Sequence, residues 1–130
     1  MIRESLFQGY YVNCEIIHMG KDYTVAVYGG DTPHIGAVVM SVPRLSLTGK
    51  GIGVTSSILT GMGHKDDIIA KWFAEEIAKK TAAIVVCSCG IHVDNITSEQ
   101  IKQVNKTCER LLQEVLQTVK MDNEYNEDKE

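Results

Sequence analysis

YYVNCEIIHMGKDYTVAVYGGDTPHIGAVVMSV, residues 10–42, decides the fold class of this chain. It contains two runs rich in Val, Ile, Tyr and Thr, residues 10–20 and 22–30, with a Gly-Lys-Asp turn between them. Two such runs on either side of a short turn are typical of a β-hairpin. After DTPH, the segment IGAVVMSV at 35–42 predicts a third strand. The N-terminal part of the chain is therefore predicted to form a sheet.

The middle of the chain adds two further strands. A proline and three glycines in PRLSLTGKGIG, residues 43–53, predict a loop. VTSSILT, residues 54–60, then predicts a fourth strand. The continuous β-branched run in AAIVVCSCGIHV, residues 82–93, is typical of a buried strand.

Two apolar stripes at helical spacing predict two helices. Asp66 or Asp67 would cap the first turn of the first helix. Thr97 and Gln100 form a T-x-x-Q capping box at the start of the second helix. Both stripes are expected to face the core. The first consists of Ile68, Ile69, Trp72, Phe73 and Ile77, and the second of Ile101, Val104, Cys108, Leu111, Leu112, Val115 and Val119.

The predicted order of elements is ββββαβα. Strands followed by helices indicate an α+β domain with a mostly antiparallel sheet covered by two helices. One domain is predicted for residues 1–120, since a domain usually has about 100–200 residues. Residues 121–130 are predicted to form an acidic, disordered tail, because the last nine residues contain five acids and one lysine.

Charge and hydropathy argue against several classes of protein. Without the tail, acids and bases balance at twelve each, and the absence of a basic stripe argues against a nucleic-acid binder. No apolar run approaches the roughly 20 residues that span a bilayer. The start, MIRESLFQGYY, lacks the layout of a signal peptide. A cytoplasmic location is therefore expected, with the four cysteines reduced and Cys87 and Cys89 serving as small core side chains.

Three of the four histidines stand where a predicted strand meets a glycine-rich connection. His34 follows GGDTP, His64 follows GMG, and His92 follows CG. A rigid scaffold often places binding groups at such positions. Three histidines around one ion would make a zinc-type site, and ordinary turn histidines are the alternative.

Glycines and a lysine near these histidines favour an anionic ligand. Gly29, Gly30 and Gly36 would let backbone amides approach a phosphate. Lys65 would lie at the start of the first helix, where the helix dipole is positive. The phosphate-loop, dinucleotide, GxSxG and metalloprotease patterns are all absent. The residues alone give weak support for a phosphate-bearing ligand. Asp66 and Asp67 beside His64 could support acid–base catalysis, although acids at a helix start are more often caps.

Three segments resemble a known family. They are GGDTPHIG (29–36), HKDDIIAKWFAEEIAKK (64–80) and CGIHVDNITSEQI (89–101). They occur in the order typical of the prenylated-flavin chaperones, the D-type partner proteins of gallate and other hydroxyarylic-acid decarboxylase systems. The resemblance spans roughly residues 8–118, and residues 43–53 carry none of it.

The resemblance implies a non-catalytic α+β protein, similar in fold to proteasome-assembly-chaperone domains. It implies binding of prenylated FMN (or FMN), where prenylated FMN is a flavin mononucleotide with an extra isoprenoid-derived ring. It also implies a role in maturing a UbiD-type decarboxylase. Carried over by position, three walls of the flavin site would be Thr32, Pro33, His34, Ile35 and Gly36; His64, Lys65 and Asp66; and Gly90, Ile91, His92 and Val93.

Within this implied site, Lys65 and the helix start would hold the phosphate, and the loops of His34 and His92 would contact the flavin rings. No metal ligand is implied, and self-association into a homo-oligomer is left open. Two alternatives also stay open. One is a small histidine-based metal-dependent hydrolase or decarboxylase, and the other is a pure assembly factor that binds through its surface.

Overall fold

A six-stranded sheet forms one layer of the molecule. The computed structural model describes the backbone of residues 1–60 and 65–129 and the side chains of residues 1–60 and 66–120. The elements are β1 (Ile2–Ser5), β2 (Tyr11–Met19), β3 (Asp22–Gly30), β4 (Ala37–Leu45), β5 (Ile52–Thr60), α1 (Lys65–Thr81), β6 (Val85–His92) and α2 (Ser98–Lys129).

The strands lie in the order β1-β2-β3-β6-β4-β5. All neighbours are antiparallel except β3 and β6, which run parallel from Tyr23↔Val85 to Gly30↔His92. The α+β class and the mostly antiparallel sheet are therefore confirmed. The likeness to proteasome-assembly-chaperone domains stays a prediction.

One face of the sheet carries the core. In β3, Tyr23, Val25 and Val27 are buried and alternate with half-buried residues, as the two-residue period of a strand requires. Both helices pack against this face and against each other. The predicted helical stripes are buried here, led by Phe73 and Leu111, although Ile68 is 70% exposed. The four cysteines are buried and free, as expected.

The start of the second helix confirms the predicted capping box. The backbone amide of Gln100 donates to Oγ1 of Thr97 over 3.1 Å. In return, the amide of Thr97 donates to Oε1 of Gln100 over 3.1 Å. These two bonds satisfy two amides that would otherwise lack partners at the helix start.

Strand β1 corrects the predicted order, which becomes βββββαβα. The sequence prediction missed β1 because four residues are too few to show an alternating pattern. The strand is fixed by its ladder with β2, from Ile2↔Cys14 to Ser5↔Tyr11. An ion pair between Glu4 and Arg110 of α2, 3.1 Å long, adds a further contact.

The predicted loop at residues 43–53 is shorter in the structure. Strand β4 continues to Leu45 and β5 begins at Ile52, which leaves residues 46–51 as the turn. Pro43 is part of the ladder with β5, opposite Val54. The pairing of β4 with β6 ends at Ser41, so Pro43 has a strand neighbour on one side only. A proline is tolerated at such an edge because it has no N–H to donate, and on its unpaired side no strand needs that hydrogen bond.

Among the side chains of α2 that the structure describes, Val119 is the last that is buried in the core. The backbone of residues 121–129 continues the helix, and the disordered tail at residues 121–130 stays a prediction. Once a helix has formed, each added residue propagates it at little cost. The division of the chain at residue 120 stays a prediction. No helix in the part of the chain that the structure describes is long and apolar enough to cross a membrane.

Candidate functional site

The connection between β3 and β4 crosses the end of β6, because β6 lies between these strands. We call this connection, residues 31–36, the crossing loop. The amide of Asp31 donates to the carbonyl of His92, and the amide of Gly36 donates to that of Cys89, each over 2.8 Å. Both ends of the loop are thereby fastened to β6. Four residues of the loop are exposed, and all four belong to the predicted site: Thr32, Pro33, His34 and Ile35.

Two predicted site glycines are explained by close packing around the crossing loop. A Cβ atom at Gly90 would overlap the carbonyl oxygen of His34. A Cβ atom at Gly36 would overlap the carboxylate of Asp66. Neither glycine has a positive φ, so absence of a side chain, not conformational freedom, is what these positions require. Close packing against Asp66 therefore explains Gly36 in a second way, besides the predicted approach of a phosphate.

Asp66 joins a helix, a strand and the crossing loop. It lies in the first turn of α1, and only 6% of its surface is exposed. Its Oδ1 accepts a hydrogen bond from the amide of Ile91 over 3.1 Å. That amide lies beyond the ladder between β4 and β6, which ends at Ala37↔Cys89. The described bond of Asp66 is thus made to β6, and the prediction that Asp66 acts as a helix cap is not confirmed.

His34 approaches the second oxygen of the same carboxylate. Its Nε2 is 3.2 Å from Oδ2 of Asp66, and its Nδ1 is 3.1 Å from the carbonyl oxygen of Thr32. A carbonyl oxygen only accepts, so Nδ1 must carry a proton. Through these two contacts, His34 connects the crossing loop to the carboxylate of Asp66.

His92 lies beside the crossing loop and close to two acids. Its Nε2 is 2.9 Å from Oδ1 of Asp94, and its ring centroid is 6.2 Å from that of His34. The amide of Asp94 donates to Asp31 over 2.7 Å and lowers the pKa of Asp31. The Thr32 hydroxyl and the charge of His92 shift the pKa of Asp31 in the same direction. These bonds hold the end of β6 and the start of the crossing loop together.

Asp31, His92 and Asp94 bring three potential metal-ligand atoms within 4.8 Å of one another. Carboxylate and imidazole groups at such distances are donors for divalent cations. Hydrogen bonds from the Asp94 amide and the Thr32 hydroxyl already occupy the oxygens of Asp31. The trio differs from the three-histidine arrangement that the sequence left open, since it excludes His34. His64, the third of those histidines, lies outside the described residues.

The end of β6 divides its predicted site residues between two faces. Gly90 faces the backbone of the crossing loop, and the ring of His92 lies near His34. Ile91 and Val93 line a cavity on the side of the helices. This division follows from the two-residue period of a strand, which sends neighbouring side chains to opposite faces. The predicted wall formed by Gly90, Ile91, His92 and Val93 therefore belongs to two separate surfaces.

The cavity lies between α1, β6 and α2 and has a volume of about 240 Å³. We call it the isoleucine cavity, because five of its nine described lining residues are isoleucines. Among the described residues, its polar lining residues are Asp66 and Asn105. The described lining consists of Asp66, Ile68, Ile69, Ile91, Val93, Ile96, Ile101, Val104 and Asn105. An apolar cavity with one or two polar groups on its wall is typical of small-molecule sites.

Comparison with known proteins bears on what this site holds. The sequence model described as "Prenylated flavin chaperone LpdD-like domain" matches residues 7–120. The chain belongs to this family. It is also 33% identical over 95 residues to a protein of Lactiplantibacillus plantarum named "Protein LpdD", a match that covers 72% of this chain. The match covers 65% of the length of that relative. The resemblance inferred from three short motifs is thereby confirmed.

The LpdD-like region contains every part of the site described above. The crossing loop, Asp66, the end of β6 and the whole lining of the isoleucine cavity lie within residues 7–120. Of the second predicted wall, only the side chain of Asp66 is described. Lys65 is the first residue of α1. It therefore lies at the end of the helix that contains Asp66 and helps to line the isoleucine cavity.

Sequence reasoning gave no binding role to several residues that line the isoleucine cavity. Ile68, Ile69, Ile101 and Val104 were assigned to core-facing stripes, and Ile96 and Asn105 were given no role. One signal was present in the sequence: both helices begin with isoleucines in their first turns. Burial differs within this set, since Ile68 is 70% exposed whereas Ile69 is 6% exposed. The sequence alone does not show that the starts of two helices line one cavity, because that arrangement depends on how the helices pack.

Proposed function

We propose that this protein is a non-catalytic accessory protein that binds prenylated FMN and helps a UbiD-type hydroxyarylic-acid decarboxylase to acquire it. The match to the prenylated flavin chaperone family over residues 7–120 is the observation that carries this proposal. The proposal assigns no catalytic residue to the chain and places it in the cytoplasm, where its partner enzyme would be made.

The chemistry of the isoleucine cavity fits a flavin ring system. Such a ligand has an apolar ring edge, a polar edge with N–H and carbonyl groups, and a phosphate. The apolar lining suits the ring edge, and the buried carboxylate of Asp66 is an acceptor for an N–H group. We therefore assign the flavin to the side of β6 on which Ile91 and Val93 lie.

The start of α1 is the place we assign to the phosphate. Asp66, Ile68 and Ile69 of this helix line the cavity, so its N-terminus lies beside the proposed ring site. The free amides at a helix N-terminus attract anions. Lys65 begins this helix, and we keep it as the predicted phosphate ligand. His64, which precedes the helix, stays a predicted residue of the same wall.

We assign a positioning role to His34. It contacts Oδ2 of Asp66 from the crossing loop, while Ile91 N–H holds Oδ1. His34 would therefore fix the orientation of the carboxylate rather than touch the flavin. Contacts of His92, Thr32, Pro33 and Ile35 with the flavin rings stay predictions from the family resemblance, since these residues lie on the crossing-loop side or are exposed.

A carrier must release its ligand as well as bind it. Cavities that enclose a drug-sized ligand usually measure about 300–1,000 Å³. The isoleucine cavity, at about 240 Å³, is smaller than this range. Most of a flavin mononucleotide would remain outside it, which suits transfer to a second protein.

Binding is tested by titrating the purified protein with reduced prenylated FMN under anaerobic conditions and with oxidised FMN. Calorimetry and visible absorbance report the dissociation constants. His34→Ala is expected to weaken binding about three- to tenfold, since one charge-assisted contact is lost. His34→Gln keeps a side-chain donor and should restore part of the affinity. His18→Ala is the matched control, because His18 lies at the opposite end of the sheet, paired with Tyr23.

Two results would contradict this function. Absence of saturable binding of either flavin would favour a pure assembly factor. A stoichiometric transition metal in the purified protein, lost on substitution of Asp31, His92 or Asp94, would favour the metal-dependent alternative.

A UbiD-type apo-decarboxylase supplied with prenylated FMN should gain activity faster in the presence of the wild-type protein.

A further inference from the structure

We propose that the isoleucine cavity binds the isoprenoid-derived ring of prenylated FMN and thereby selects the prenylated cofactor over unmodified FMN. The inference rests on the proposed function. It goes further by naming the part of the ligand that enters the cavity and the residues that discriminate between the two flavins.

The composition of the cavity decides which part of the ligand enters. Seven of its nine lining residues are isoleucine or valine. The polar residues among the described lining are Asn105 and Asp66, and the contacts with Ile91 and His34 leave each Asp66 oxygen about one further acceptor site. A phosphate placed here would lose its hydration and face a buried carboxylate, which is strongly unfavourable. The several hydroxyls of the sugar alcohol would exceed the polar partners that Asn105 and Asp66 offer among the described lining residues. An apolar ring meets neither penalty.

The volume of the cavity also favours the isoprenoid-derived ring as the part of the ligand that enters. A volume of about 240 Å³ is less than the roughly 300–1,000 Å³ that encloses a drug-sized ligand. It is sufficient for a fragment such as a five-carbon ring and the ring edge to which it is joined. Unmodified FMN has the ring edge but lacks the isoprenoid-derived ring, and would leave apolar surface of the cavity exposed to water.

Part of the described rim of the cavity is exposed apolar surface. Ile68 is 70% exposed in the first turn of α1, where it lines the cavity beside the buried Ile69. Ile96, in the connection between β6 and α2, is half-buried and lines the same cavity. An apolar ring seated here would remove the exposed surface of Ile68 from water, which is favourable in proportion to the area buried.

The expected selectivity follows from the size of the added group. One methylene in a hydrophobic pocket changes affinity about 10- to 200-fold. A five-carbon addition that fits should therefore give at least about a tenfold preference for prenylated FMN. Plain FMN would still bind through its phosphate and polar ring edge.

Substitutions that fill the cavity test this inference. Val104→Phe places a larger side chain on the cavity wall from α2, and Ile96→Phe does so from the connecting segment. Two positions are used because Val104 is 7% exposed and its replacement by phenylalanine risks the fold. Lys102→Phe adds the same side chain at an exposed position of α2 and is the matched control. Thermal unfolding establishes which variants are folded.

The dissociation constants of both flavins are measured for each folded variant by calorimetry. We expect Val104→Phe and Ile96→Phe to weaken prenylated FMN at least about tenfold and to leave the FMN constant within about twofold. Lys102→Phe should change neither. Equal affinity of the wild-type protein for the two flavins would overturn the inference while leaving the proposed function intact. Equal weakening of both flavins by the filled cavity would overturn it as well. Absence of binding of either flavin to the wild-type protein would overturn the proposed function itself.

Discussion

Asp66 of α1 accepts the backbone amide of Ile91 in β6, and its other carboxylate oxygen lies 3.2 Å from the imidazole of His34. One carboxylate therefore connects the first helix, the end of the strand beside it and the loop that crosses that strand. It also forms part of the wall of the isoleucine cavity. Changes at Asp66 should consequently affect both stability and binding.

Replacement of Asp66 by alanine should destabilise the fold. The amide of Ile91 would lose its partner, and an unsatisfied buried donor costs about 1–3 kcal/mol. Asp66→Asn keeps an acceptor oxygen and should cost less. Asp67→Ala is the matched control, because it removes an acid from the same helical turn. The buried Oδ1 of Asp67 has no hydrogen-bond partner among the described residues. Urea unfolding of the three variants measures the differences. Equal losses for Asp66→Ala and Asp67→Ala would contradict the role of Asp66.

Alanine at position 90 should displace the crossing loop. Its Cβ would overlap the carbonyl oxygen of His34, which belongs to the backbone and cannot rotate away. Overpacking of this kind typically costs about 1–3 kcal/mol. Gly53→Ala is the control, since the new Cβ would meet Nη1 of Arg44 at 2.8 Å, the end of a flexible side chain. Denaturant midpoints should fall for Gly90→Ala and stay nearly constant for Gly53→Ala. A similar fall for both would show that the crossing loop adapts easily.

The hydrogen bond from Asp94 to Asp31 should make stability depend on acid pH. This bond lowers the pKa of Asp31 in the folded protein below the ordinary value of about 3.9. A lowered folded pKa contributes stability above the unfolded pKa, and that contribution is lost as the pH falls through the folded pKa. The advantage of the wild-type protein over Asp31→Asn should therefore be present at neutral pH and shrink below about pH 4. Urea midpoints of both proteins across this range provide the measurement, and a difference independent of pH would refute the assignment.

The four cysteines should be unreactive in the folded protein. Burial raises the pKa of Cys14 and Cys108 to about 12, and burial raises that of Cys87 and Cys89 further. Only the thiolate is nucleophilic, so alkylation near pH 8 should be slow until urea unfolds the chain. Raised folded pKa values also mean that stability falls as the pH rises above about 9, where unfolded thiols ionise. Mass spectrometry counts the labelled thiols, and rapid native labelling of any of them would contradict their buried placement.

Much of the fold was predictable because its signals are local. The hairpin of β2 and β3, the helical stripes and the capping box of Thr97 and Gln100 each depend on residues close together in sequence. Strand β1 was not predictable, since four residues show no pattern until they pair with β2. The three family motifs were likewise visible in the sequence and identify the family over residues 7–120.

The arrangement of the site depends on contacts between distant parts of the chain. Insertion of β6 between β3 and β4 draws the crossing loop over Gly90 and brings His34 to Asp66. No local periodicity specifies which strands become neighbours, because that choice depends on packing of the whole sheet.

The sequence by itself determined the α+β class, the core-facing stripes and the motifs that identify the family, because each is encoded over a few neighbouring residues. Only the tertiary structure decided that Ile91 and Val93 face the helices while Gly90 and His92 face the crossing loop. Alternation along a strand separates these residues into two sets, but the packing of α1 and α2 on one face alone decides which set lines a cavity.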